Sequence, residues 1–350
     1  MTLLEAFRTG SQFLKSADID APAIDAGVLL CSIAKCSREE LYTYGDREME
    51  ESLHQRYLNA LEKRSKGYPL QYLTGMQEFM SLSFYVGPGV LIPRQETELL
   101  VETVLEFCRN KTGICTSEAN NGNLKASQCS RILDMGTGSG CIAISLAYYL
   151  PGCTVVAVDK MESALDMVKR NARANGVEAR VSTLQSDLFR NLEITTSSAG
   201  RFDVIVSNPP YIRSADICDL QREVREHEPI EALDGGIDGL SFYRQIIGEA
   251  QAYLKEGGML AFEVGYDQAK DVAALMSGVS GMSDKFGVSS ESDVSDKFGV
   301  SSESDASDKS GASNASGTTD IEKHQCAGFR SIRIHKDLAG IDRVVTGVKT

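Results

Sequence analysis

Hydrophobic residues recur at helical spacing through the first part of the chain. Leu3 and Phe7 share one helical face, and Tyr57 and Leu61 share another, because side chains four positions apart lie on the same side of a helix. None of these residues carries obvious chemistry. The pattern therefore predicts a small N-terminal helical bundle over residues 1–76.

Two helix starts can be located in this region. Asp20 precedes Pro22, which is typical of a capping residue followed by a proline in the first turn. Ser37 and Glu40 have the spacing of a capping box, in which each side chain accepts a hydrogen bond from the other residue's backbone N–H. We expect helices to begin at these two points.

The pattern then changes from helical spacing to alternation. Phe79, Leu82 and Phe84 are typical of extended strands, and the Gly-Pro-Gly sequence at 87–89 favours a turn. Residues 77–92 are therefore predicted to form a hairpin that links two domains.

Strand and helix signals alternate along the rest of the chain, which is predicted to form one domain over residues 93–350. A helix is expected to open after Pro93, and residues 110–130 are polar and typical of a loop. Strands are expected at 131–135, 153–159, 179–187, 202–210 and 259–265, helices at 141–150, 163–176 and 242–258 with a glycine stop, and a terminal hairpin at 329–345. Such alternation predicts an α/β fold with a doubly wound, mostly parallel sheet.

One segment interrupts this alternation. The sequence SDKFGVSSESD occurs at 283–293 and again at 295–305, and a degenerate copy follows. Its apolar residues are too sparse to offset the entropy of ordering. We therefore expect a disordered acidic insertion over about 279–325, with nine acidic residues and four lysines.

Composition narrows the class of protein. The 350 residues carry a net charge of −13, which disfavours a general nucleic-acid binder, because an acidic surface repels a phosphate backbone. Nine cysteines form no CxxC pair and do not cluster with the four histidines, so no zinc site is indicated and a reducing, cytoplasmic compartment is expected. The N-terminus lacks a signal-peptide pattern, and the longest apolar run, at 141–150, is about half of the ~20 residues that a membrane span needs.

A glycine-rich turn follows the first strand of the predicted sheet. Glycines in the segment 136–140 (Gly-Thr-Gly-Ser-Gly) let the backbone turn sharply and approach a ligand closely, and the following helix N-terminus favours a carboxylate or phosphate. Asp134 stands just before this turn, and Asp159 ends the next strand, where a carboxylate can accept both ribose hydroxyls. The GxGxG spacing suits a nucleoside with an amino-acid tail, such as S-adenosylmethionine, better than a pyrophosphate.

Two residues at the end of the strand predicted at 179–187 extend this site. Asp187 is placed to accept from an adenine amino group, and Leu188 to lie against the ring. A helix cap is the alternative for Asp187, and its placement beside the glycine turn favours the adenine role.

The segment Asn208-Pro209-Pro210-Tyr211 ends a buried strand and is called the NPPY segment below. Proline fixes its own φ and restricts the preceding residue, so this segment is a stiff stub at the strand end where α/β sheets bind ligands. Proline carbonyls and the Asn208 side chain are acceptors, and Tyr211 can lie against a flat group. These features predict a site for a planar –NH2 group whose nitrogen is methylated.

The same motifs resemble a known family. Together the glycine turn, Asp159 and the NPPY segment are similar to class I methyltransferases that act on planar nitrogens, and most similar to the release-factor glutamine methyltransferase (PrmC/HemK) family. Further segments that resemble this family are LTGMQEF (73–79), LIPRQETE (91–98), SNPPYI (207–212), the acidic and glycine-rich pattern at 228–240, and KDLAGIDR (336–343). The resemblance covers nearly the whole chain and departs from the family at the insertion and the 110–130 loop.

The resemblance implies a seven-stranded class I methyltransferase sheet with a small N-terminal helical domain that recognises a protein substrate. It implies S-adenosylmethionine as cofactor, S-adenosylhomocysteine as product, and the Gly-Gly-Gln glutamine of class I peptide chain release factors as the methylated group. The implied cofactor-binding residues are Asp134, Gly136, Thr137, Gly138, Ser139, Gly140, Asp159, Asp187, Leu188 and Asn208. The implied catalytic and substrate-binding residues are Asn208, Pro209, Pro210 and Tyr211, with Arg94 at the rim. No metal and no membrane partner is implied, and a monomer is expected.

Three interpretations remain open at this stage. Arg94 and Glu98 are expected to pair at the rim of the site, with a domain-interface ion pair as the alternative. An adenine N6 or guanine N2 methyltransferase is the first rival function, because the same Asn-Pro-Pro-aromatic stub serves those amines. A non-enzymatic nucleoside-binding scaffold is the second.

Overall fold

The computed structural model describes residues 1–112, 130–194, 197, 200–278 and 328–350. The predicted insertion at 279–325 and most of the predicted loop at 110–130 lie outside these residues.

Five helices form the N-terminal part: α1 (Leu3–Ser16), α2 (Pro22–Ala34), α3 (Arg38–Thr43), α4 (Glu51–Ser65) and α5 (Leu70–Thr74). They enclose a hydrophobic core of their own, in which the Tyr57 hydroxyl donates to the Ala26 carbonyl oxygen at 3.1 Å. Gly10 is needed beneath this ring, because a Cβ there would lie 2.1 Å from the tyrosine oxygen.

The predicted capping box at α3 is confirmed, with Ser37 and Glu40 accepting each other's backbone N–H groups at 3.1 and 2.8 Å. The predicted cap at Asp20 is wrong, although α2 does begin at Pro22. Proline takes the first helical position, so the cap falls on Ala21 and Asp20 lies one residue too early.

A short hairpin follows, made of β1 (Met76–Phe79) and β2 (Leu82–Tyr85), which pair antiparallel. It attaches to the rest of the protein through α8 (Glu162–Ala174), where the buried Asn171 side chain pairs with the backbone of Tyr85. Tyr85 N–H donates to Asn171 Oδ1 at 2.7 Å, and Asn171 Nδ2 donates to the Tyr85 carbonyl at 3.0 Å.

Seven further strands form the main sheet: β3 (Arg131–Met135), β4 (Thr154–Asp159), β5 (Val181–Gln185), β6 (Phe202–Ser207), β7 (Leu254–Glu263), β8 (Arg330–Lys336) and β9 (Asp342–Val348). Their order is β5-β4-β3-β6-β7-β9-β8. The first five in this order run parallel, and β9 runs antiparallel to both of its neighbours. The predicted doubly wound, mostly parallel seven-stranded sheet is therefore confirmed.

Helices cover both faces of this sheet: α6 (Glu98–Thr112), α7 (Cys141–Tyr149) and α8 on one, and α10 (Ser241–Tyr253) and α11 (Ala269–Ser277) on the other. A short helix, α9 (Arg222–His227), lies in the connection after β6. After α11 the described chain resumes at Gly328, and the Phe329 N–H donates to the Met276 carbonyl at 2.7 Å.

The C-terminal ends of α10 and α6 differ from the prediction. Helix α10 ends at Tyr253, not at the glycines, because the buried Leu254 already pairs with Phe202 of β6. Gly257 and Gly258 instead exchange backbone hydrogen bonds with Lys349, at 3.0 and 2.8 Å, within a bulge of β7. Helix α6 continues to Thr112, three residues into the predicted loop.

A buried carboxylate fixes the start of β6. Asp203 accepts from Lys255 Nζ at 2.7 Å, from the Arg131 N–H at 2.9 Å and from Lys111 Nζ at 3.0 Å. Burial alone would raise the pKa of Asp203, but the hydrogen bonds from these three groups lower it below its ordinary value. Its stabilising contribution is therefore present at neutral pH and is lost as the pH falls through that lowered pKa.

We expect Asp203→Asn to lower the free energy of unfolding by about 1.5–3 kcal/mol at pH 7, because charge-assisted hydrogen bonds are lost. Urea unfolding at several pH values measures this effect. The difference from the wild type should shrink as the pH falls below about 4. Asp166→Asn is the control, since its pair with Lys169 is exposed and should contribute less than about 1 kcal/mol. Equal effects of the two substitutions would contradict the assignment.

Candidate active site

The predicted site residues follow the carboxyl ends of neighbouring parallel strands. Met135 of β3 pairs with Val158 of β4 on one side and with Ser207 of β6 on the other. The Ser207 hydroxyl also donates to the Met135 carbonyl at 2.7 Å. The glycine turn and the NPPY segment therefore start side by side at one edge of the sheet.

The glycine turn leaves open space above its backbone. Gly136 and Gly138 have φ of +73° and +54°, which strongly favour glycine, and a Cβ at either would meet no atom within 4 Å. Gly140 differs, because a Cβ there would lie 3.0–3.2 Å from Ile144 and Val168 side chains. The first two glycines thus shape a cradle, and the third lets α7 and α8 approach.

Asp134 supports this turn from below. Its side chain is fully buried, and Oδ2 accepts from the Thr137 hydroxyl at 2.6 Å and from the Ala143 N–H at 3.1 Å. Its other oxygen is buried without a partner among the described residues. Burial raises the pKa of Asp134 to about 7. Its hydrogen bonds with Thr137 and Ala143 join the glycine turn to the start of α7.

Ser139, in the same turn, is buried, and its carbonyl accepts from Asn171 Nδ2 at 2.9 Å.

Asp159 lies beside the turn with its carboxylate held in place. Oδ2 accepts from the Gly138 N–H and Oδ1 from the Met161 N–H, both at 2.9 Å. Each carboxylate oxygen has a second acceptor direction, so the group can still accept from ligand hydroxyls. The predicted juxtaposition of this acid and the turn is present in the structure.

Asp187 and Leu188 follow β5, one strand farther out. Gln185 pairs with Asp159, and the Ser186 N–H donates to the Asp159 carbonyl at 3.0 Å, so this turn borders the same cradle. Leu188 has φ of +52°, a strained conformation for leucine. Asp187 Oδ2 lies 3.0 Å from Arg190 Nη1 and 4.0 Å from Lys160 Nζ, so two cations already face this carboxylate.

The NPPY segment is held by its first and last residues. Asn208 Nδ2 donates to Thr97 Oγ1 at 3.2 Å, and the Tyr211 carbonyl accepts from Gln268 Nε2 at 2.9 Å. Pro209 is buried between them, while Pro210 and the Tyr211 ring are partly exposed. Burial raises the pKa of Tyr211 to about 12, so its hydroxyl stays protonated at neutral pH.

The glycine-rich part of the 228–240 segment lies directly against the NPPY segment. Ile212 N–H donates to the Leu233 carbonyl at 3.0 Å, and the Ile212 carbonyl accepts from Gly235 N–H at 2.8 Å. A Cβ on Gly235 would lie 2.7 Å from Tyr211 Cα, and one on Gly239 would lie 2.4 Å from the Tyr211 carbonyl oxygen. These glycines are required because two backbones touch.

The expected pair between Arg94 and Glu98 is wrong. Arg94 instead pairs with the buried Glu228, which also accepts from the Ile92 N–H at 3.1 Å. Glu98 accepts from the Met80 N–H at 2.6 Å, because the 3-10 turn at Gln95–Thr97 directs it toward the hairpin. The Arg94 side chain is about one-third exposed.

A second arginine connects the same region to the N-terminal helices. Arg64 of α4 donates from Nε to Asp25 Oδ2 at 2.6 Å and pairs with Glu223 of α9. Tyr68 packs edge-on against His227 at 4.9 Å between ring centres. The connection after the NPPY segment is thus bound to both halves of the protein.

Three site residues escaped the sequence analysis: Thr97, Glu263 and Gln268. Thr97 lies within the LIPRQETE motif, where no pattern distinguishes it from its neighbours. The sequence around Gln268 contains no pattern that indicates a role in the site. Glu263 had one available signal, since it is an acid at the end of an apolar strand and therefore at the same edge as the other site residues.

Two family models match parts of this chain. Residues 5–75 match the PrmC N-terminal domain, and residues 107–224 match the methyltransferase small domain. The release factor glutamine methyltransferase of Moorella thermoacetica is 41% identical over 279 residues, which span 80% of this chain and 91% of that protein. The one from Geobacter sulfurreducens is 39% identical over 76% of this chain and 84% of its own length.

The chain belongs to the release factor glutamine methyltransferase family. The resemblance found in the sequence motifs is therefore confirmed. Among solved structures, a ribosomal protein L11 methylase from Lactobacillus delbrueckii subsp. bulgaricus is 19% identical with a TM-score of 0.35, covering 55% of this chain and 72% of that chain.

The described part of the chain contains neither a membrane-spanning helix nor a group of metal-binding side chains. There, no helix is both long and apolar enough to cross a membrane. In the same residues, no three His, Cys, Asp or Glu side chains are grouped so as to hold a metal ion.

We expect Gly235→Ala to lower the free energy of unfolding by about 1–3 kcal/mol, because the new methyl group would force the 228–240 segment away from Tyr211. Urea unfolding measures the change. Gly152→Ala is the matched control, since a Cβ there meets nothing within 4 Å and should change stability by about 0.5 kcal/mol or less. A Gly235 variant as stable as the control would show that the two backbones are not in firm contact.

Proposed function

We propose that this protein methylates the side-chain amide nitrogen of the glutamine in the Gly-Gly-Gln motif of class I peptide chain release factors, with S-adenosylmethionine as the methyl donor. Membership of the release factor glutamine methyltransferase family, with an alignment that covers four-fifths of the chain, supports this reaction and this substrate. The single observation that carries the proposal is the position of Asn208, next to the glycine turn and with its amide nitrogen already bonded to Thr97.

The cradle at the glycine turn fits S-adenosylmethionine. Open space lies over Gly136 and Gly138, the Asp159 carboxylate stands beside them, and the N-terminus of α7 faces the same space. In this proposal Gly136–Gly140 and Asp159 bind the methionine tail and the ribose, with Asp134 and Ser139 supporting the turn. Asp187 and Leu188 border the adenine. The bound cofactor supplies an electrophilic methyl group on its sulfonium.

Asn208 and the prolines orient the substrate nitrogen. Since Asn208 Nδ2 donates to Thr97, the side-chain oxygen Oδ1 is left to accept from the glutamine –NH2. The Pro209 carbonyl offers a second acceptor, and Tyr211 flanks the planar amide. Holding both N–H groups favours pyramidalisation of a nitrogen whose lone pair is otherwise delocalised, and it disperses the positive charge that develops there.

Positioning accounts for much of the expected rate enhancement. Good alignment of reacting groups supplies up to ~7–11 kcal/mol, so no strong base needs to act before methyl transfer. The stiffness of two successive prolines and the contact with Gly235 limit motion of the NPPY segment.

Arg94 and the N-terminal helices would contact the protein substrate around the glutamine. The expected monomer, the absence of a nucleic-acid partner and the cytoplasmic location stay predictions.

We expect Asn208→Ala to reduce methyl transfer by about 100-fold or more, because one preorganised polar contact to the reacting nitrogen is lost. Purified class I release factor is incubated with the enzyme and S-adenosylmethionine, and the gain of one methyl group is followed by intact mass and peptide mapping. Gln245→Ala, exposed on α10, is the control and should keep wild-type activity, because its side chain bonds only within its own helix.

A wild-type enzyme that leaves the Gly-Gly-Gln glutamine unmodified would overturn the proposed substrate. Methylation of DNA or RNA by the same preparation would then favour the amino-group methyltransferase of nucleic acids. Full activity of the Asn208 variant would overturn the role of this side chain while leaving the reaction in place.

We expect Asp159→Ala to weaken S-adenosylmethionine binding by about 10- to 100-fold, because hydrogen bonds to a charged group contribute about 1.5–3 kcal/mol each. Isothermal titration calorimetry measures the affinity, and thermal unfolding verifies that the variant is folded. Asp166→Ala on the exposed face of α8 should bind like the wild type. Unchanged affinity in the folded Asp159 variant would rule out its contact with the cofactor.

A further inference from the structure

Glu263 is a buried carboxyl group to which the mechanism above assigns no task. It ends β7, and because Phe262 pairs with Ser207, it lies beside Asn208 on the neighbouring strand. Glu263 is 2% exposed, and its Oε2 atom is buried without a hydrogen-bond partner among the described residues. Burying an incompletely paired carboxyl costs stability, and such groups cluster at functional sites.

Thr97 and Asn208 face the Glu263 carboxyl and form a short polar chain with it. Asn208 Nδ2 donates to Thr97 Oγ1 at 3.2 Å, and the nearness of both side chains opposes the rise in the pKa of Glu263. A threonine hydroxyl has only one proton. If the carboxylate accepts that proton, the lone pairs of Thr97 are left for the N–H group of Asn208.

The donor-to-acceptor direction of the hydrogen bonds among these three side chains decides which way the Asn208 amide faces. An ionised carboxylate only accepts hydrogen bonds, so every bond in the chain must run from Asn208 toward Glu263. The nitrogen of the amide then faces Thr97 and Glu263, and the oxygen faces the cleft. With the opposite polarity, the amide would present two donors to a substrate –NH2 that itself needs acceptors.

We propose that Glu263 is a positioning residue which, directly and through Thr97, fixes the Asn208 side-chain amide with its oxygen toward the substrate nitrogen. The inference rests on the proposed function for its catalytic consequence, although the orientation of the amide can be tested without it.

The surroundings of Glu263 make this orientation sensitive to pH. Burial raises the pKa of Glu263 to about 7, and hydrogen bonds from Thr97 and Asn208 and the charge of Arg343 oppose that rise. The other titratable groups that face it are Glu96 before α6, Tyr211 after β6, Tyr243 of α10 and Cys141 of α7. A protonated carboxyl can donate to Thr97 and release the amide, so kcat should rise with pH through about 7 and then level off.

Glu263→Gln tests the proposal with little change of shape. Its amide can donate to Thr97, which permits the opposite polarity. We expect kcat to fall at least ~10-fold, as for loss of one preorganised contact, with the rise near pH 7 abolished and cofactor affinity within about twofold of wild type. Glu256→Gln, exposed on the same strand, should behave as wild type.

Thr97 provides a second variant pair in case Glu263→Gln does not fold. Thr97→Val removes the hydroxyl at nearly constant volume and should lower kcat to a similar extent, whereas Thr97→Ser keeps the hydroxyl and should retain most activity. Wild-type kcat and an unchanged pH profile in folded Glu263→Gln or Thr97→Val protein would overturn the proposal.

A nuclear magnetic resonance measurement separates this proposal from the proposed function. The side-chain ¹H–¹⁵N signals of Asn208, identified by their loss in Asn208→Asp, should shift with a midpoint near pH 7 in the wild type and lose that transition in Glu263→Gln. An inactive wild type that shows this transition would refute only the release-factor activity. Signals that do not respond to pH or to Glu263→Gln would refute the positioning role, even if the variant is inactive.

Discussion

The parallel pairing of β3 with β6 is the constraint on which the whole site depends. It places Met135 opposite Ser207, and the serine hydroxyl ties the two strand ends together at 2.7 Å. Gly136 follows Met135 and begins the glycine turn, and Asn208 follows Ser207. A slip of β6 by one residue would turn its side chains to the other face of the sheet and shift Asn208 relative to the glycine turn. The hydrogen bonds from the Arg131 N–H to Asp203 and from the Ser207 hydroxyl to Met135 fix the register at the two ends of β6.

Rigidity around the NPPY segment comes from close backbone contact as well as from proline. The carbonyl of Tyr211 is held by Gln268, and the glycines of the 228–240 segment leave no room for a side chain between the two backbones. The same connection carries Glu223 and Glu228, which are paired with Arg64 and Arg94. The N-terminal helices are therefore connected, through the Arg64–Glu223 pair, to the segment that packs against the NPPY residues.

Local patterns were sufficient to predict the sheet, the order of its elements, the glycine turn with Asp159, and the placement of the NPPY segment. Each of these depends on residues that are adjacent in sequence or on strands that end at one edge. Thr97, Gln268 and the Arg94–Glu228 pair were not predictable in this way, because each interaction joins residues more than 50 positions apart. The end of α10 was misplaced because burial of Leu254 in the sheet outweighed the glycine signal beyond it.

The short distance between the end of α11 and the start of β8 has a consequence for evolution. The chain leaves at Gly278 and resumes at Gly328 at almost the same point, where Phe329 already bonds to Met276. This point lies at the amino edge of the sheet, opposite the cleft. Closing a connection between two fixed ends costs free energy that grows only with the logarithm of its length, about 0.6 kcal/mol per doubling. Sequence can therefore be gained or lost here over generations without disturbing strand order or the geometry of catalysis.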